Sequence, residues 1–517
     1  MSTRRSYKVA LALLLILLLA GGLRLYNLGG ESLWHDETVS VYAARSSVSE
    51  ILTVRTRVDL FPPLYHLMLH GWIRLVGDSA VAVRVPSVIF GIAAVAVLFL
   101  VGRELRDDAL GLVVAFLSAI SYFLIRYAQE ARPYSLLVLL SLASYYFFIR
   151  MVRRGATGGA SVGYAATTAL LLYTHYHAAF LVLTQVCTVA CLWRRLGRIR
   201  LRWVAAVTVA SLAFSPWLPI LRAQYFLENE ILGWIPVPTI FHLIGVLSYW
   251  VTFPWGSYVD PHSKHVLEAL KLFPLLPLGI IFWVLVSVGC FVWARMPESM
   301  VGRRWLRPIG WAPTDETVIL ALWMIVPVLV PFAISHIGRP IFWPRYLIGA
   351  VPAFYLLLAR GVVAFNRRWL AWSLSLAILI LTVPGLARYY RVPMKEQVDH
   401  AARMVEQGDR QGDLLVLASK YLSNPFTYYY HGSQDRFTVD DRDGPLKVLR
   451  QLETAIVGHK RLWLIVAKAR RKTAVRALRG LLPDGPIDER RFVGVRVLLY
   501  EIPPALRKIS DDANSSS

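Results

Sequence analysis

Long apolar stretches separated by short polar or basic segments fill the first three quarters of the chain. Stretches of about 20 apolar residues have the length that a helix needs to cross a bilayer. We predict about eleven such spans, at residues 8–26, 83–102, 109–126, 133–150, 161–175, 177–193, 203–221, 273–294, 316–336, 345–364 and 369–386. A further apolar segment, 239–253, is interpreted as a helix lying in the membrane interface, with Trp250 and Trp255 at headgroup depth.

The pattern changes after Pro384, where helix-like and strand-like segments alternate. Strand character is found at 413–418, 461–467 and 491–502, and helical character at 395–407, 422–430, 446–457 and 470–481. This alternation is typical of a small α/β domain. The predicted fold class is therefore an α-helical polytopic membrane protein with a small C-terminal α/β domain outside the cytoplasm.

This pattern divides the chain into three parts. Residues 1–388 are predicted to form the transmembrane domain, and 27–82 its first outer loop. Residues 389–507 form the extracytoplasmic α/β domain, and 508–517 a disordered tail.

The charge of the chain agrees with a membrane location. The 517 residues are 56% hydrophobic and only 17% charged, yet the net charge is +23. In a soluble protein such a charge would suggest a nucleic-acid partner. Here 19 Lys and Arg residues lie in alternate loops and only 4 in the short loops of the other side, so by the positive-inside rule the basic loops are cytoplasmic. We expect a multi-pass protein of the cell (inner) membrane with a cytoplasmic N-terminus, and nucleic acid is an unnecessary hypothesis.

Two adjacent carboxylates follow the first span, in Trp34-His35-Asp36-Glu37. Adjacent helical residues point about 100° apart, so one carboxylate can face a site while its neighbour supports it. A carboxylate suits the removal of a proton from an acceptor hydroxyl. The alternative is a solvated pair that caps a helix.

A second group of polar residues lies in the other outer loops, which are otherwise poor in charge. Arg132 at the membrane boundary suits a lipid phosphate, and Glu130 is expected to position it. An ordinary ion pair at a helix end is the alternative. The remaining polar residues expected on this face are Tyr134, His175, His177, Arg339, Arg345 and Tyr346.

Metal and nucleotide sites are not predicted. His66 and His70 have a spacing of four residues that can bind a metal, but no carboxylate lies on the same face nearby. The C-terminal segment has no glycine-rich phosphate loop.

These motifs together resemble the GT-C glycosyltransferases of the family-39-like group, which includes the protein O-mannosyltransferases and the aminoarabinose transferase of lipid A. The resemblance covers 8–386, and 390–507 resembles the outer α/β domain of many bacterial members. It is carried by Trp34-His35-Asp36-Glu37, Pro62-Pro63-Leu64-Tyr65, Gln129-Glu130-Ala131-Arg132-Pro133-Tyr134, Thr174-His175-Tyr176-His177 and Arg345-Tyr346.

The resemblance implies a metal-independent, inverting transfer outside the cytoplasm, without a cofactor. The donor would be a polyprenyl-phosphate-linked sugar, and the acceptor a lipid, a glycan or a protein. Asp36 matches the general base, with Glu37 beside it. Arg132, Arg345 and Arg339 would bind the donor phosphate. Supporting roles fall to His35, Glu130, Tyr134, His175, His177 and Tyr346.

One residue departs from the aminoarabinose-transferase pattern. That enzyme has a basic residue before its paired prolines, where this chain has Phe61. The departure weakens the case for lipid A as acceptor and leaves the anchoring of the donor to the arginines.

Two other classes of function compete with this interpretation. A transporter or flippase of lipid-linked sugars often has inverted repeats and ionisable residues at mid-membrane, whereas this chain has no evident repeat and its ionisable residues lie at the boundary. A membrane scaffold would not need Asp36, Glu130, Arg132 and Arg345 together.

Overall fold

Apolar helices make up most of the described chain. The computed structural model describes residues 2–53, 59–231, 235–251, 284–285, 315–364, 368–439, 443–467 and 473–507. The helices of the first half are α1 (Ser2–Leu25), α2 (His35–Arg45), α3 (Val48–Leu52), α4 (Leu64–Val76), α5 (Ala80–Leu105), α6 (Asp108–Ala119), α7 (Tyr122–Ala128), α8 (Tyr134–Arg154), α9 (Gly158–Leu172), α10 (Ala178–Cys191), α11 (Ile199–Phe214), α12 (Leu218–Ile231) and α13 (Ile240–Val251).

The second half adds helices and a small sheet. The helices, again in chain order, are α14 (Asp315–Ile337), α15 (Val351–Val363), α16 (Arg368–Arg391), α17 (Val398–Gly408), α18 (Lys420–Tyr429), α19 (Pro445–Ala455) and α20 (Thr473–Leu481). The strands are β1 (Leu414–Leu417), β2 (Asp435–Thr438), β3 (Arg461–Ala467), β4 (Asp488–Phe492) and β5 (Val495–Glu501). The described residues thus form a polytopic helical protein with a small C-terminal α/β region.

Seven helical stretches of the described chain are long and apolar enough to cross a membrane. They are Ser6–Leu25, Ala80–Leu105, Tyr134–Arg154, Ile199–Phe226, Asp315–Ile337, Tyr346–Val363 and Trp369–Arg391. Helices α6 and α7 together make an eighth candidate with a bend of 64°, while α9 and α10 are apolar but shorter. Each predicted span coincides with one of these helices except 273–294, of which the structure describes only 284–285. The total of eleven spans stays a prediction.

The bend between α6 and α7 is closed by a buried arginine. The last carbonyl groups of a helix have no partner within the helix, and in a membrane they must find one in the protein. The Arg24 guanidinium donates to the carbonyl groups of Ser118 at 3.3 Å and Ala119 at 3.1 Å. Ser121 then caps the next helix, since its side chain accepts a hydrogen bond from the Leu124 amide. Arg24 therefore supplies hydrogen bonds to carbonyl groups that the bend leaves without partners in the helix.

Ion pairs connect the ends of several helices on the side that the charge pattern assigns to the cytoplasm. Arg154 at the end of α8 pairs with Glu104 of α5 at 2.6 Å, and Arg153 pairs with Glu316 of α14 at 2.8 Å. Arg195, in the loop after α10, contacts Asp315 at 2.8 Å. These loops therefore share one end of the helical region.

The segment 239–253 forms a helix over Ile240–Val251 that packs against other helices of the membrane unit. In this helix, α13, Trp250 is fully buried and packs against Phe354, with ring centroids 6.0 Å apart. The Tyr355 hydroxyl also donates to the Trp250 carbonyl group at 3.3 Å. Other helices thus cover the Trp250 ring, and the placement of this helix at headgroup depth stays a prediction. Trp255 lies outside the described residues.

The chain divides into two compact units. The membrane unit comprises Met1–Leu28 and Ala43–Arg391, and the C-terminal unit comprises Gly29–Tyr42 and Val392–Ser517. The sequence assigned 29–42 to the first outer loop of the transmembrane domain, whereas the structure groups it with the C-terminal unit. The candidate carboxylates Asp36 and Glu37 belong to this short segment.

The sheet of the C-terminal unit is mixed and covered on both faces. Its strand order is β2-β1-β3-β5-β4, in which β1 pairs in parallel with β2 and β3, and β5 pairs antiparallel with β3 and β4. Alternate residues of a strand point to opposite faces. Leu415 and Trp463 thus pack with α17 and α18, while Val416 and Leu464 pack with α19 and α20. This double burial explains the continuous apolar runs of β1 and β3.

Two elements of the sheet differ from the prediction. The sequence did not indicate β2, because its residues are polar and partly exposed at the edge of the sheet. The single strand predicted at 491–502 is a hairpin, in which Gly494 has a φ of +72° that favours glycine. The predicted tail 508–517 lies outside the described residues.

A buried carboxylate fixes the start of β1 against β3. Asp413 accepts hydrogen bonds from Arg461 Nη2 at 2.6 Å and from Trp463 Nε1 at 3.0 Å. Burial alone would raise the pKa of Asp413, but Arg461, the Arg410 amide and Trp463 outweigh it and lower that pKa.

Candidate functional site

A buried ion pair lies at the centre of the candidate site in the membrane unit. Arg132, in the turn between α7 and α8, donates two hydrogen bonds to Asp59 at 2.8 and 3.1 Å. Both side chains are buried, with exposures of 3% for Arg132 and 8% for Asp59. His66 of α4 contributes a third contact, with Nε2 3.1 Å from Asp59 Oδ2. The bidentate geometry holds the guanidinium plane in one orientation.

Asp59 is a carboxylate rather than a neutral acid. Burial would raise its pKa, but the charge of Arg132 and the close contact with His66 outweigh burial and hold the pKa of Asp59 well below its usual range. A carboxylate in this state is a weak base. Its function in the structure is to position Arg132.

The aromatic ring of Phe61 lies under the same guanidinium. The Arg132 Cζ atom is 4.6 Å from the centre of the Phe61 ring, which is a cation–π contact. Phe61 also contacts His175, with ring centroids 4.8 Å apart. The position before the paired prolines is therefore aromatic in this chain, and the cation beside it comes from a different segment.

His175 lies in the turn between α9 and α10 and presents a hydrogen-bond donor. Its Nδ1 accepts the amide hydrogen of His177 at 3.0 Å, so the proton of the neutral ring is assigned to Nε2. Burial first, and then the neighbouring His177 and Arg132, hold the pKa of His175 well below its usual value. In the part of the chain that the structure describes, the buried Nε2 has no hydrogen-bond partner.

The loop before α15 adds a second arginine and a tyrosine. The Tyr346 ring lies 5.4 Å from His175 and 5.2 Å from His177, centroid to centroid. Arg345 is partly buried, with its Cζ atom 5.4 Å from the Tyr346 ring, and its charge contributes to lowering the pKa of His175. Tyr134 completes the group, with its ring 6.2 Å from His175.

We refer to these side chains as the Arg132 cluster. Its members are Asp59, Phe61, Arg132, Tyr134, His175, His177, Arg345 and Tyr346. The cluster brings together segments from four parts of the membrane unit. It combines two cations, one neutral imidazole donor and an aromatic lining, which can bind an anion attached to an apolar chain.

Two predicted residues make other contacts. Arg339 donates to the Tyr225 carbonyl group, and its Cζ atom lies 4.2 Å from the Tyr225 ring. Glu130 is buried and its Oε1 lies 3.6 Å from Arg126 Nε. The ion pair seen with Arg132 is made by Asp59, and the expectation that Glu130 positions Arg132 stays a prediction.

The candidate carboxylates lie in the C-terminal unit, at the first turn of α2. Glu37 is fully buried, and its Oε2 atom lies 2.8 Å from Lys395 Nζ. Asp36 is partly exposed, and its carbonyl group accepts a hydrogen bond from the Ser40 hydroxyl at 3.3 Å. His35 stacks on Tyr421, with ring centroids 4.7 Å apart.

Sequence reasoning missed several of these partners. Asp59 and Lys395 were not identified, because each is a single charged residue whose partner is distant in the chain. His66 was considered only as a metal ligand, whereas in the structure it contacts Asp59, and His70 Nδ1 lies 2.8 Å from the Ala44 carbonyl oxygen. The described residues contain no group of three side chains suited to a metal ion.

Comparison with known protein families gives one match. Residues 61–220 match the family described as dolichyl-phosphate-mannose-protein mannosyltransferase. The matched segment includes Phe61, Arg132 and His175 but not Asp36. Curated protein sequences gave no significant match.

Solved structures extend the likeness to almost the whole chain. ArnT from Cupriavidus metallidurans in the apo state is 12% identical, with a TM-score of 0.58 over 98% of this chain and 99% of that one. The same protein bound to undecaprenyl phosphate gives 12% identity and a TM-score of 0.55 over 98% and 100% of the two chains.

A second relative comes from an archaeon. The oligosaccharyltransferase AglB from Archaeoglobus fulgidus, in complex with an inhibitory peptide and a dolichol-phosphate, is 12% identical, with a TM-score of 0.54 over 89% of this chain and 69% of that one. Likeness at these identities concerns the fold. The family match and the structural likenesses together identify this chain as a multi-pass membrane protein with the fold of the GT-C glycosyltransferases.

Proposed function

We propose that this protein transfers a monosaccharide from a polyprenyl-phosphate donor to an acceptor hydroxyl on the outer face of the membrane. The Arg132 cluster is the observation that carries the proposal. Its two arginines and its neutral imidazole suit a phosphate, and its aromatic side chains suit the adjoining apolar chain. The ArnT and AglB structures described above contain undecaprenyl phosphate and a dolichol-phosphate, which supports the same donor class here.

In the proposed reaction, the Arg132 cluster binds the donor phosphate. Arg132 and Arg345 contact its oxygens, and the His175 Nε2–H group donates a hydrogen bond. Negative charge grows on the phosphate as its bond to the sugar breaks. Cations that are already in place stabilise this charge without reorganising, which is a large source of catalysis. The contacts of Arg132 with Asp59 and Phe61 supply that preorganisation.

We propose Asp36 as the general base, with Glu37 in a supporting role. Asp36 takes the proton of the acceptor hydroxyl, and the oxygen attacks the anomeric carbon as the carbon–oxygen bond to the phosphate breaks. The bonding pair leaves with the phosphate, and a single displacement of this kind inverts the anomeric centre. The contacts of Glu37 favour Asp36, because Glu37 is buried and paired with Lys395 whereas Asp36 is partly exposed.

The proposal keeps the identity of the substrates broad. A hexosyl or a pentosyl group fits, and the acceptor is a lipid, a glycan or a protein. The distribution of basic loops supports an inner-membrane protein with a cytoplasmic N-terminus and a C-terminal unit outside. Arg339, which contacts Tyr225, is assigned a secondary role near the donor.

Release of sugar from a radiolabelled polyprenyl-phosphate sugar tests the proposal. The purified protein in detergent is mixed with the donor and a lipid extract as acceptor. We expect turnover by the wild type, a loss of about 100-fold or more in Asp36→Asn, and a strong loss in Arg132→Met. The exposed ion pair between Arg45 and Asp78, at 2.6 Å, provides matched controls, so Arg45→Met and Asp78→Asn should keep full activity.

Two results would overturn the proposal. Equal turnover in the wild type and in Asp36→Asn would remove Asp36 as the base. Absence of turnover, combined with movement of lipid-linked sugar between leaflets of proteoliposomes by both proteins, would instead establish a transporter.

A further inference from the structure

The C-terminal unit holds the segment that carries the proposed base. The Leu33 amide donates to the Tyr429 hydroxyl at 2.7 Å, and His35 Nδ1 lies 2.9 Å from the Tyr421 carbonyl oxygen. Both partners belong to α18, and the Tyr421 ring also stacks on His35. Helix α18 therefore contacts the backbone and a side chain just before Asp36.

A second set of contacts comes from the chain between α16 and α17 and from the first turn of α17. Glu31 accepts a hydrogen bond from the Lys395 amide at 3.3 Å, and the Ser32 hydroxyl donates to Asp399. The Lys395 ammonium group reaches Glu37 Oε2 at 2.8 Å. Lys395 therefore contacts the segment at both ends, through its backbone and through its side chain.

The ion pair between Lys395 and Glu37 is withdrawn from water. Glu37 has an exposure of 0% and Lys395 one of 12%. A buried pair of this kind is expensive to desolvate and is weak evidence for stability. Losing one partner is costly, because the other charge stays buried without compensation. Its best-attested use is to fix one arrangement of the chain, and here that arrangement is the first turn of α2.

We propose that Lys395 is a positioning residue for transfer, which fixes Asp36 by neutralising and holding its neighbour Glu37. The inference rests on the role of Asp36 in the proposed function. It assigns the C-terminal unit a direct part in the reaction, because that unit sets the position of the general base. Asp36 and Glu37 share one helical turn, so we expect the loss of the buried anchor at Glu37 to loosen the turn that carries Asp36.

The expected kinetic effect follows from this geometry. A displacement of a reacting group by about 1 Å can reduce the rate about 100-fold. Replacing Lys395 by methionine should therefore reduce kcat by about that factor, while the KM for the donor changes by less than threefold, because the Arg132 cluster is untouched. Lys395→Arg keeps the charge and should recover most of the loss. The double variant Glu37→Gln with Lys395→Met should have a higher kcat than Lys395→Met alone, since it leaves no buried carboxylate without a compensating charge.

Hydrogen exchange on the full-length protein supplies a test that does not need turnover. In Lys395→Met, the amides of residues 31–40 should lose protection, while those of β3 stay protected. Lys447→Met is the matched control, since Lys447 pairs with Asp443 at 2.9 Å on the surface of the same unit. Lys447→Met should change neither the hydrogen exchange of residues 31–40 nor kcat.

The two proposals fail in different ways. If the wild type shows no transfer, the proposed function fails, and hydrogen exchange still reports whether Lys395 holds the segment. The inference is overturned if the amides of 31–40 in Lys395→Met keep their protection from hydrogen exchange. It is also overturned if Lys395→Met has the same kcat as an active wild type. Equal loss of protection in β3 would reveal a general stabilising role and would overturn it too. Tyr421→Leu, which removes the stack on His35, repeats the test if Lys395→Met does not fold.

Discussion

Arg132 and Asp59 are 73 positions apart in the chain and meet in a bidentate ion pair with distances of 2.8 and 3.1 Å. The pair turns one edge of the guanidinium group toward Asp59 and places its face over Phe61. A planar cation held on two sides has little freedom left to lose when an anion binds. This arrangement supports the proposal that Arg132 serves as a fixed anion-binding group.

Substitution of Asp59 tests this relationship. Asp59→Asn leaves Arg132 buried with a neutral partner, and breaking a buried pair of this kind costs about 3–5 kcal/mol. We expect a lower free energy of unfolding and at least tenfold weaker binding of a polyprenyl-phosphate donor. Thermal unfolding and donor-binding assays in detergent measure the two effects.

The exposed pair of Arg45 and Asp78 provides the comparison. Asp78 has an exposure of 39% and Arg45 one of 38%. An exposed pair contributes only about 0.2–1 kcal/mol, so Asp78→Asn should leave donor binding unchanged. If Asp59→Asn and Asp78→Asn lost donor affinity to a similar extent, burial of the pair between Arg132 and Asp59 would have no special role in donor binding.

His175 offers a separate prediction about hydrogen bonding. If its Nε2–H group donates to the donor phosphate, His175→Gln keeps an N–H donor on a more flexible side chain, whereas His175→Phe keeps the ring volume and loses the donor. A hydrogen bond to a charged group contributes about 1.5–3 kcal/mol. We therefore expect His175→Phe to bind the donor about 10- to 100-fold more weakly than the wild type, with His175→Gln in between. Equal affinity of His175→Phe and the wild type would exclude the imidazole from phosphate binding.

Asp413 predicts how the stability of the C-terminal unit depends on pH. Its folded pKa is lowered, so the stability that it contributes is complete above its unfolded value of about 3.9. That contribution is lost as the pH falls through the lowered folded value. Asp413→Asn should destabilise β1 and β3 at pH 7, and the difference from the wild type should shrink below pH of about 4.

Hydrogen exchange of β1 and β3 at several pH values measures this effect, after correction for the intrinsic rates. Asp443→Asn is a suitable control, because Asp443 pairs with the exposed Lys447. The lowered pKa of Asp413 would be contradicted if the stability difference between Asp413→Asn and the wild type stayed constant from pH 7 to pH 3.

The sequence predicted those features that repeat along the chain or that depart sharply from their surroundings. Membrane helices carry their apolar pattern over about 20 residues, so their positions agree with the structure wherever it is described. Arg132, His175 and Arg345 stood out because the outer loops contain few other charges. Strands β1 and β3 were found because burial on both faces demands continuous apolar runs.

What the sequence did not predict depends on contacts between distant segments. Nothing in the spacing of residues links Asp59 to Arg132 or Glu37 to Lys395. The burial of the Trp250 ring likewise depends on Phe354 and its neighbours rather than on the amphipathic pattern of its own helix. Strand β2 is polar because it forms an edge, and an isolated polar strand has no periodic signal.

The contacts between the first outer segment and the C-terminal unit also set an order of assembly during synthesis. Glu37 is made 358 residues before its partner Lys395, and Leu33 is made 396 residues before Tyr429. At about 5–20 residues per second, the ribosome needs roughly 20–70 s to bridge that interval. During this time the early segment lacks the partners that hold it. The first turn of α2 therefore reaches its final arrangement only after the segment from Lys395 to Tyr429 has been made, so the proposed base is completed late in synthesis.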